Sequence, residues 1–296
     1  MAYPCFTKTY RKTTYPAIDP SRPELSAKEK TVVVTGAGDG SIGATVALAF
    51  AEAGARKIAL VGRTAATLDK TKAVIVEAFP NATISVFTAD ISDAQSTGTA
   101  AHNIKVELGA WDVFANCAGH LPDLTTVAGA DEDDWWKAFE IHAKFATHFA
   151  KHFLPKARPG AAYINTNAAS CHLPAAHFPK TSAYLASKLA MAKLDEYLAE
   201  ENPQLRVFTV HPGVVQTRMV DKVMKGLDNV PAGDFLDEPE LPAHFMVWLA
   251  SGEGDFLQSG RFLWANWDVE ELISRKAEIE GNPTLFRITI GGWPFQ

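Results

Sequence analysis

Short apolar runs rich in β-branched residues alternate with longer, Ala-rich stretches along the chain from Thr31 onward. The apolar runs lack alternating polar positions, which indicates strands of a parallel sheet with both faces covered by helices. Their alternation with helical stretches predicts βαβ units, and therefore an α/β fold with a doubly wound parallel sheet in a single domain. The predicted strands are 31–35, 57–62, 84–90, 113–119, 162–167 and 205–213, and the predicted helices are about 42–54, 66–79, 94–108, 131–154 and 182–200.

The segments outside this pattern are predicted from their turn-forming residues. Prolines recur in residues 1–28, which prevents a long helix and favours an extended N-terminal arm over the domain or against a partner subunit. Residues 29–296 then form the main domain. Within it, 217–240 is rich in Gly, Pro and Asp, so we expect a mobile segment with a short helix there. The stretch 256–268 is expected to hold a last strand.

Composition limits the classes of partner and compartment. The chain has 296 residues, of which 47% are hydrophobic and 21% charged, as in an ordinary globular protein. A net charge of −6 argues against a nucleic-acid partner. Neither a signal peptide nor a membrane span is indicated by the apolar runs, and three cysteines without metal-like spacing suggest a reduced, cytoplasmic location. The histidines lack paired ligand spacing, so no metal is expected.

A glycine-rich loop follows the first predicted strand, in TGAGDGSIGATVALAFAEAG. Glycines at that point let the backbone turn sharply and approach a pyrophosphate at the N-terminus of the next helix. This favours a Rossmann-type dinucleotide site. An ordinary tight turn, or a site for the adenosyl cofactor of methyltransferases, would give the same pattern.

The second predicted strand ends in Gly62 and Arg63, where an acidic residue would bind a ribose 2′-hydroxyl. An arginine suits a 2′-phosphate, so NADP(H) is favoured over NAD(H). Two observations oppose this: an arginine at a strand end is often only a surface residue, and the carboxylate of Asp39 in the glycine loop would repel phosphate.

Tyr184 and Lys188 are four residues apart in a predicted helix and therefore share one of its faces. A phenol has an unperturbed pKa of about 10 and becomes a useful acid only beside a cation. Lys188 could supply that cation. The alternative is a half-buried tyrosine beside a solvated lysine.

Four sequence stretches occur in one order: TGAGDGSIG after the first strand, NCAG at 116–119, YLASK at 184–188 and HPGVVQT at 211–217. Together they resemble the short-chain dehydrogenase/reductase family, over about residues 30–265. The resemblance implies that Tyr184 is the general acid and that Lys188 lowers its pKa and binds the nicotinamide ribose. The dinucleotide-binding residues it implies, together with Arg63, are Gly36, Gly40, Ser41, Ile42, Gly43, Asp90, Asn116, Ala118, Gly119, Lys188, Pro212, Gly213, Val215 and Thr217.

The chain departs from the family pattern at three places. The glycine loop is one residue longer, with Ser41 in place of a glycine, and pyrophosphate contact should survive this. His142 stands where the family has an asparagine that supports a water in a proton relay, and it is either tolerated or adds an acid–base group. The family's serine is ambiguous. Ser170 is our choice for binding the substrate oxygen, although counting back from Tyr184 gives Cys171, and Asn167 is another possible donor.

The resemblance implies reversible hydride transfer between a nicotinamide and a carbonyl or secondary alcohol. Apolar residues near the expected site suggest a small to medium apolar substrate; they are Leu173, Phe178, Val214, Met219 and Val220. A homodimer or homotetramer is implied, built on the Tyr184 helix and the aromatic helix before it. The altered asparagine and serine positions leave an alternative open: an NAD(P)-binding protein with redirected or lost redox chemistry, such as an isomerase, a cyclase or a scaffold.

Overall fold

One seven-stranded sheet forms the centre of the computed structural model, which describes residues 5–226, 235–258 and 260–290. Its order is β3-β2-β1-β4-β5-β6-β7, and every neighbouring pair is parallel. The order reverses beside β1, and ligands of such sheets bind at the carboxyl ends of the strands near that reversal. The strands are β1 Thr31–Thr35, β2 Lys57–Gly62, β3 Thr83–Thr88, β4 Trp111–Asn116, β5 Ala157–Thr166, β6 Arg206–His211 and β7 Arg261–Trp264.

Helices cover both faces of the sheet. Because successive side chains of a strand point to opposite faces, Val32 and Val34 of β1 join one hydrophobic core and Val33 joins the other. This confirms the predicted doubly wound α/β fold. The helices are α1 Ile42–Glu52, α2 Ala65–Ala78, α3 Ala94–Leu108, α4 Glu132–Phe139, α5 Phe145–His148, α6 Ser182–Glu201, α7 Arg218–Gly226, α8 Glu240–Ser251, α9 Val269–Ser274 and α10 Lys276–Gly281.

The predicted helix 131–154 is interrupted. Wide π-helical turns at Glu140–Lys144 and Phe149–Phe153 flank α5, and each places an extra residue in one turn of the helix. Such insertions often occur at functional sites because they redirect side chains. The periodicity of the sequence predicted the helical segment but could not show these insertions, since they follow from tertiary contacts.

Helix α8 was not predicted. It is buried on nearly all sides, so it has no polar stripe that would give a helical period. Pro242 resembles a helix breaker, yet it lies in the first turn, where the missing N–H costs nothing.

The segment predicted as mobile, 217–240, is described only in part. Helix α7 occupies the position of the predicted short helix. Residues 227–234 lie outside the described residues. After them, Asp237 pairs with Val215 beside the end of β6.

The N-terminal arm lies over its own domain from residue 5 onward. Tyr10 forms an antiparallel bridge with Trp267, and the Arg11 guanidinium contacts the Asp268 carboxylate at 2.6 Å. Short 3-10 turns at Pro16–Ile18 and Pro23–Leu25 each begin with proline, as its fixed φ allows. None of the helices in the described ranges is both long enough and apolar enough to cross a lipid bilayer.

Candidate active site

The glycine loop between β1 and α1 is a tightly packed turn. Gly36 has a φ of +65°, and a Cβ there would lie 2.7 Å from the backbone N of Ala118. Gly43 approaches Gly36 so closely that its Cβ would lie 2.6 Å from the Gly36 carbonyl oxygen. Ser41 caps α1: its Oγ donates to the Gly36 carbonyl oxygen at 2.7 Å and accepts from the Ala44 N–H at 3.1 Å. The turn therefore presents bare backbone to the space above it.

A cavity of about 430 Å³ lies over this turn and runs along the carboxyl edge of the sheet. Its volume and its wall of glycine backbone and mixed polar side chains fit an extended dinucleotide. The sequence-predicted residues that line it are Gly36, Gly40, Ser41, Ile42, Arg63, Asp90, Ala118, Gly119, Tyr184, Lys188, Pro212 and Thr217.

Other predicted cofactor residues lie behind the cavity wall. Asn116 is fully buried, and its Nδ2 donates to Asn165 Oδ1 at 2.9 Å. Gly213, with a φ of +81°, packs against the Asp237 carboxylate, while Val215 lines an adjoining cavity. With Gly43, these residues shape the wall and do not line the cavity itself.

One end of the cavity combines a cation with a carboxylate. Arg63 is exposed at the end of β2, and Thr64 precedes α2 without capping it through its side chain. Burial opposes ionisation of Asp90, yet its hydrogen bonds from Ser92 and the charges of Lys137 and Arg63 hold the carboxyl pKa below its usual value. Sequence reasoning missed Thr64 because a threonine after a strand has no distinctive pattern.

Tyr184 and Lys188 meet at the other end, both on α6. Lys188 is 3% exposed, and its Nζ donates to the Thr166 carbonyl oxygen at 2.7 Å. That Nζ lies 5.9 Å from the centroid of the Tyr184 ring. Burial lowers the pKa of Lys188 to about 8. The pKa of the Tyr184 phenol is raised, mainly by burial and to a smaller extent by the nearby Cys171. In the protein without a bound cofactor, burial therefore outweighs the lowering of the phenol pKa that was expected from Lys188.

His142 bridges two parts of the site. Its Nε2 accepts from the His120 N–H at 3.1 Å, and its Nδ1 contacts Ser187 Oγ at 2.8 Å. Since Ser187 Oγ donates to the Tyr184 carbonyl oxygen at 2.9 Å, Nδ1 is the protonated nitrogen. Burial and the Lys188 charge lower the pKa of His142 well below its usual value. The ring is therefore a neutral bridge with both nitrogens in use.

Three neighbouring side chains are candidates for the donor to the substrate oxygen: Ser170, Asn167 and Cys171. Ser170 and Cys171 share one 3-10 turn, half-buried and buried respectively, and neither is part of the described cavity lining, whereas Asn167 is. Asn167 uses its amide internally: Nδ2 donates to the Lys188 carbonyl oxygen at 2.9 Å, and Oδ1 accepts from the Ala168 N–H at 2.8 Å. Cys171 contacts the same Asn167 Oδ1 at 3.7 Å and is close enough to influence the ionisation of Tyr184 and Lys188.

Several residues of the cavity wall were missed as cofactor contacts by sequence reasoning. Cys117, Thr166 and Ile91 line it because they end or follow strands, whereas Met219 had been assigned to the substrate side alone. Within residues 5–226, 235–258 and 260–290, no three His, Cys, Asp or Glu side chains are arranged to hold a metal ion.

The chain is similar to known short chain dehydrogenases in sequence and in fold. The family model for short chain dehydrogenases matches residues 30–228. A short chain dehydrogenase/reductase of Claviceps purpurea is 33% identical over 92% of this chain and 90% of its own length. Two solved structures have the same fold. A short chain dehydrogenase of Shigella flexneri in complex with NADP has a TM-score of 0.72 at 23% identity, covering 82% of this chain and 99% of the other. L-Sorbose reductase of Gluconobacter frateurii, in complex with NADPH and L-sorbose, has a TM-score of 0.70 at 23% identity, covering 81% and 96%.

Proposed function

The chain belongs to the short-chain dehydrogenase/reductase family of oxidoreductases, and we propose on that premise that it reduces a carbonyl group of a small to medium apolar substrate with NADPH. The observation that carries the proposal is the junction of three features in one cavity: the bare glycine turn, the phenol of Tyr184 and the buried ammonium of Lys188.

The ionisation of the pair favours the reducing direction. When bound, the nicotinamide supplies the hydride. Burial keeps the phenol of Tyr184 protonated at neutral pH, so its proton is available when negative charge develops on the substrate oxygen. Lys188, anchored on the Thr166 carbonyl oxygen, places an ammonium beside the phenolate that remains and limits the cost of forming it.

We assign the preference for NADPH to Arg63. Its guanidinium is exposed at the edge of the cavity, next to the N-terminus of α2, which Thr64 does not cap with its side chain. Charge-assisted hydrogen bonds of this kind are the strong ones, and they suit a 2′-phosphate.

Replacing Arg63 by Ala should raise the KM for NADPH by about 10- to 100-fold, since one or two charge-assisted hydrogen bonds are lost. The KM for NADH should change little. Steady-state kinetics with both cofactors measures this. Arg56→Ala removes an exposed arginine at the opposite end of β2 and serves as the control. Equal effects of Arg63→Ala on both cofactors would exclude Arg63 as the specificity residue.

We propose the thiol of Cys171, in place of Ser170, as the donor to the substrate oxygen. Neither side chain lines the described cavity, but the thiol lies 3.7 Å from Oδ1 of Asn167, which does, and Cys171 is near enough to act electrostatically on Tyr184 and Lys188. Cys171→Ala should lower kcat about tenfold, as expected for loss of one neutral hydrogen bond, and Cys171→Ser should restore it. Ser170→Ala is the matched control and should retain nearly full activity. A larger loss in Ser170→Ala than in Cys171→Ala would return the role to Ser170.

A second candidate function is NAD(P) binding with redirected or lost redox chemistry, as in an isomerase, a cyclase or a scaffold. The observation in its favour is the surroundings of Tyr184, where His142 is a neutral bridge and the thiol of Cys171 influences the phenol. Incubation with NADPH and a broad panel of ketones separates the two, with oxidation followed by absorbance. Tight binding of NADPH without oxidation would favour the second function.

We also propose that the protein is a homo-oligomer. Trp136 on α4 is 57% exposed and stacks with Trp135 and Phe139, which leaves an aromatic surface next to α6. A homodimer or homotetramer would bury that surface.

We place the enzyme in the cytoplasm, with a small molecule as its substrate and without a nucleic-acid or membrane partner.

A further inference from the structure

A chain of buried polar side chains crosses the sheet below the cavity. Thr35 Oγ1 donates to Asn116 Oδ1 at 2.5 Å, and Asn116 Nδ2 donates to Asn165 Oδ1 at 2.9 Å. Asn165 Nδ2 in turn donates to both carboxylate oxygens of Asp195, at 2.9 and 3.1 Å. These four side chains are at most 2% exposed. The chain therefore ends on a carboxyl group in the core.

Asp195 is an acceptor in each of these contacts. Thr209 Oγ1 adds a further hydrogen bond to Asp195 Oδ2, at 2.6 Å. The amide oxygen of Asn165 accepts from Asn116, so its Nδ2 is the group directed at Asp195. Aligned donors of this kind polarise one another and stabilise the ionised carboxylate.

The side chains of Asp195 and Lys188 bind neighbouring residues of strand β5. Asp195 binds the side chain of Asn165, and Lys188 Nζ binds the carbonyl oxygen of Thr166, the next residue of β5. Both groups lie on α6, seven residues apart, which is about two helical turns and returns to the same face. A buried acid and a buried base thus lie on one face of α6, two turns apart, and each charge acts on the other.

The other ionisable groups near this pair carry little charge at neutral pH. Burial raises the pKa of Cys171 to about 12 and that of Cys117 to about 11, so both thiols near Lys188 stay protonated. His142 is held neutral, as described above. The buried phenol of Tyr163, next to Asp195, has a raised pKa and stays protonated.

Glu196 also influences Asp195, but it is paired elsewhere. Its carboxylate contacts Lys193 at 2.8 Å and Arg287 at 3.7 Å. Asp195 is consequently the carboxylate placed to balance Lys188 within the described part of the core.

We propose that Asp195 is a positioning residue that acts through Lys188, as the buried counter-charge that keeps its ammonium protonated beside Tyr184. This inference rests on the proposed function for its effect on catalysis. Burial raises the pKa of Asp195 to about 7 and lowers that of Lys188 to about 8, so both groups are charged together between those values. Removing the negative charge lets Lys188 lose its proton at a lower pH.

Asp195→Asn tests the inference in the enzyme. The new amide can accept from Asn165 and donate to Thr209, so the variant keeps the hydrogen-bond pattern while losing the charge. The high-pH limb of the kcat/KM profile with NADPH should move to lower pH by about one unit, the order of magnitude expected for the loss of one nearby charge in the core. Glu196→Gln removes a charge from the next residue and should leave the limb in place. An unmoved limb in Asp195→Asn would overturn the proposal while leaving the proposed function intact.

A double-mutant cycle on urea unfolding tests the same link without any need for activity. When Lys188 is present, Asp195→Asn should lower the urea midpoint of unfolding. In the Lys188→Met background the carboxylate of Asp195 has already lost its partner. There, Asp195→Asn should lower the midpoint less, or raise it. Glu196→Gln combined with Lys188→Met should be additive. Additivity of Asp195→Asn with Lys188→Met would refute the pairing. Coupling without NADPH oxidation would retain the pairing and reject the proposed function.

Discussion

Tyr184→Phe should lower kcat roughly 1,000-fold or more, since general acid catalysis contributes about two to four orders of magnitude. The variant keeps the aromatic ring and loses only the hydroxyl that carries the transferred proton. The glycine turn and Lys188 are untouched, so the Kd for NADPH should stay within about twofold, a change of under half a kcal/mol. Steady-state kinetics and fluorescence titration of NADPH measure the two quantities.

Tyr197→Phe is the matched control for this prediction. Tyr197 lies on the same helix, α6, but is 57% exposed, so its hydroxyl should contribute nothing to turnover. Near-normal turnover in Tyr184→Phe would remove the phenol from the mechanism. Loss of NADPH binding together with turnover would show that the residue supports the cavity and does not supply a proton.

Gly36→Ala should cause the largest loss of stability in the cofactor loop. Gly36 has a φ of +65°, a backbone conformation that costs free energy for any residue with a side chain. A Cβ there would lie 2.7 Å from two backbone atoms, the N of Ala118 and the O of Cys117, just after β4. Strain and overpacking together should cost about 2–5 kcal/mol of unfolding free energy. The displaced turn should also bind NADPH much more weakly. Urea unfolding and NADPH titration check both effects.

Gly40→Ala separates the two causes. Gly40 also has a positive φ, +72°, but a Cβ there would meet nothing within 4 Å. Its cost should therefore be limited to the conformational part, about 1–2 kcal/mol. Equal destabilisation by Gly36→Ala and Gly40→Ala would contradict the close approach of the glycine turn to residues 117 and 118.

The sheet and the main features of the site were predictable because local chemistry determines them. Uninterrupted apolar runs indicated strands buried on both faces, and the last strand was expected within 256–268, where β7 lies. The glycine turn followed from its flanking strand and helix. A spacing of four placed Tyr184 and Lys188 on one helix face, and the structure brings both to the cavity.

The features that could not be predicted depend on contacts between distant parts of the chain. The π-helical turn at His142 reflects a ring held between His120 and Ser187, which are far apart in sequence. Asp195 resembles any polar residue of a surface helix until the fold places Asn165 and Thr209 against it. Likewise, neighbouring positions in one turn, Ser170 and Cys171, can be told apart only by the direction of their side chains.

The central claim is that the phenol of Tyr184 and the ammonium of Lys188 act beside a nicotinamide held over the glycine turn. A crystal structure with NADP⁺ bound tests it most directly. We predict the pyrophosphate on the backbone N–H at Ile42, where α1 begins, and the nicotinamide ribose within hydrogen-bond reach, about 2.6–3.2 Å, of Tyr184 Oη or Lys188 Nζ. A dinucleotide bound elsewhere, or a phenol turned out of the cavity, would contradict the account.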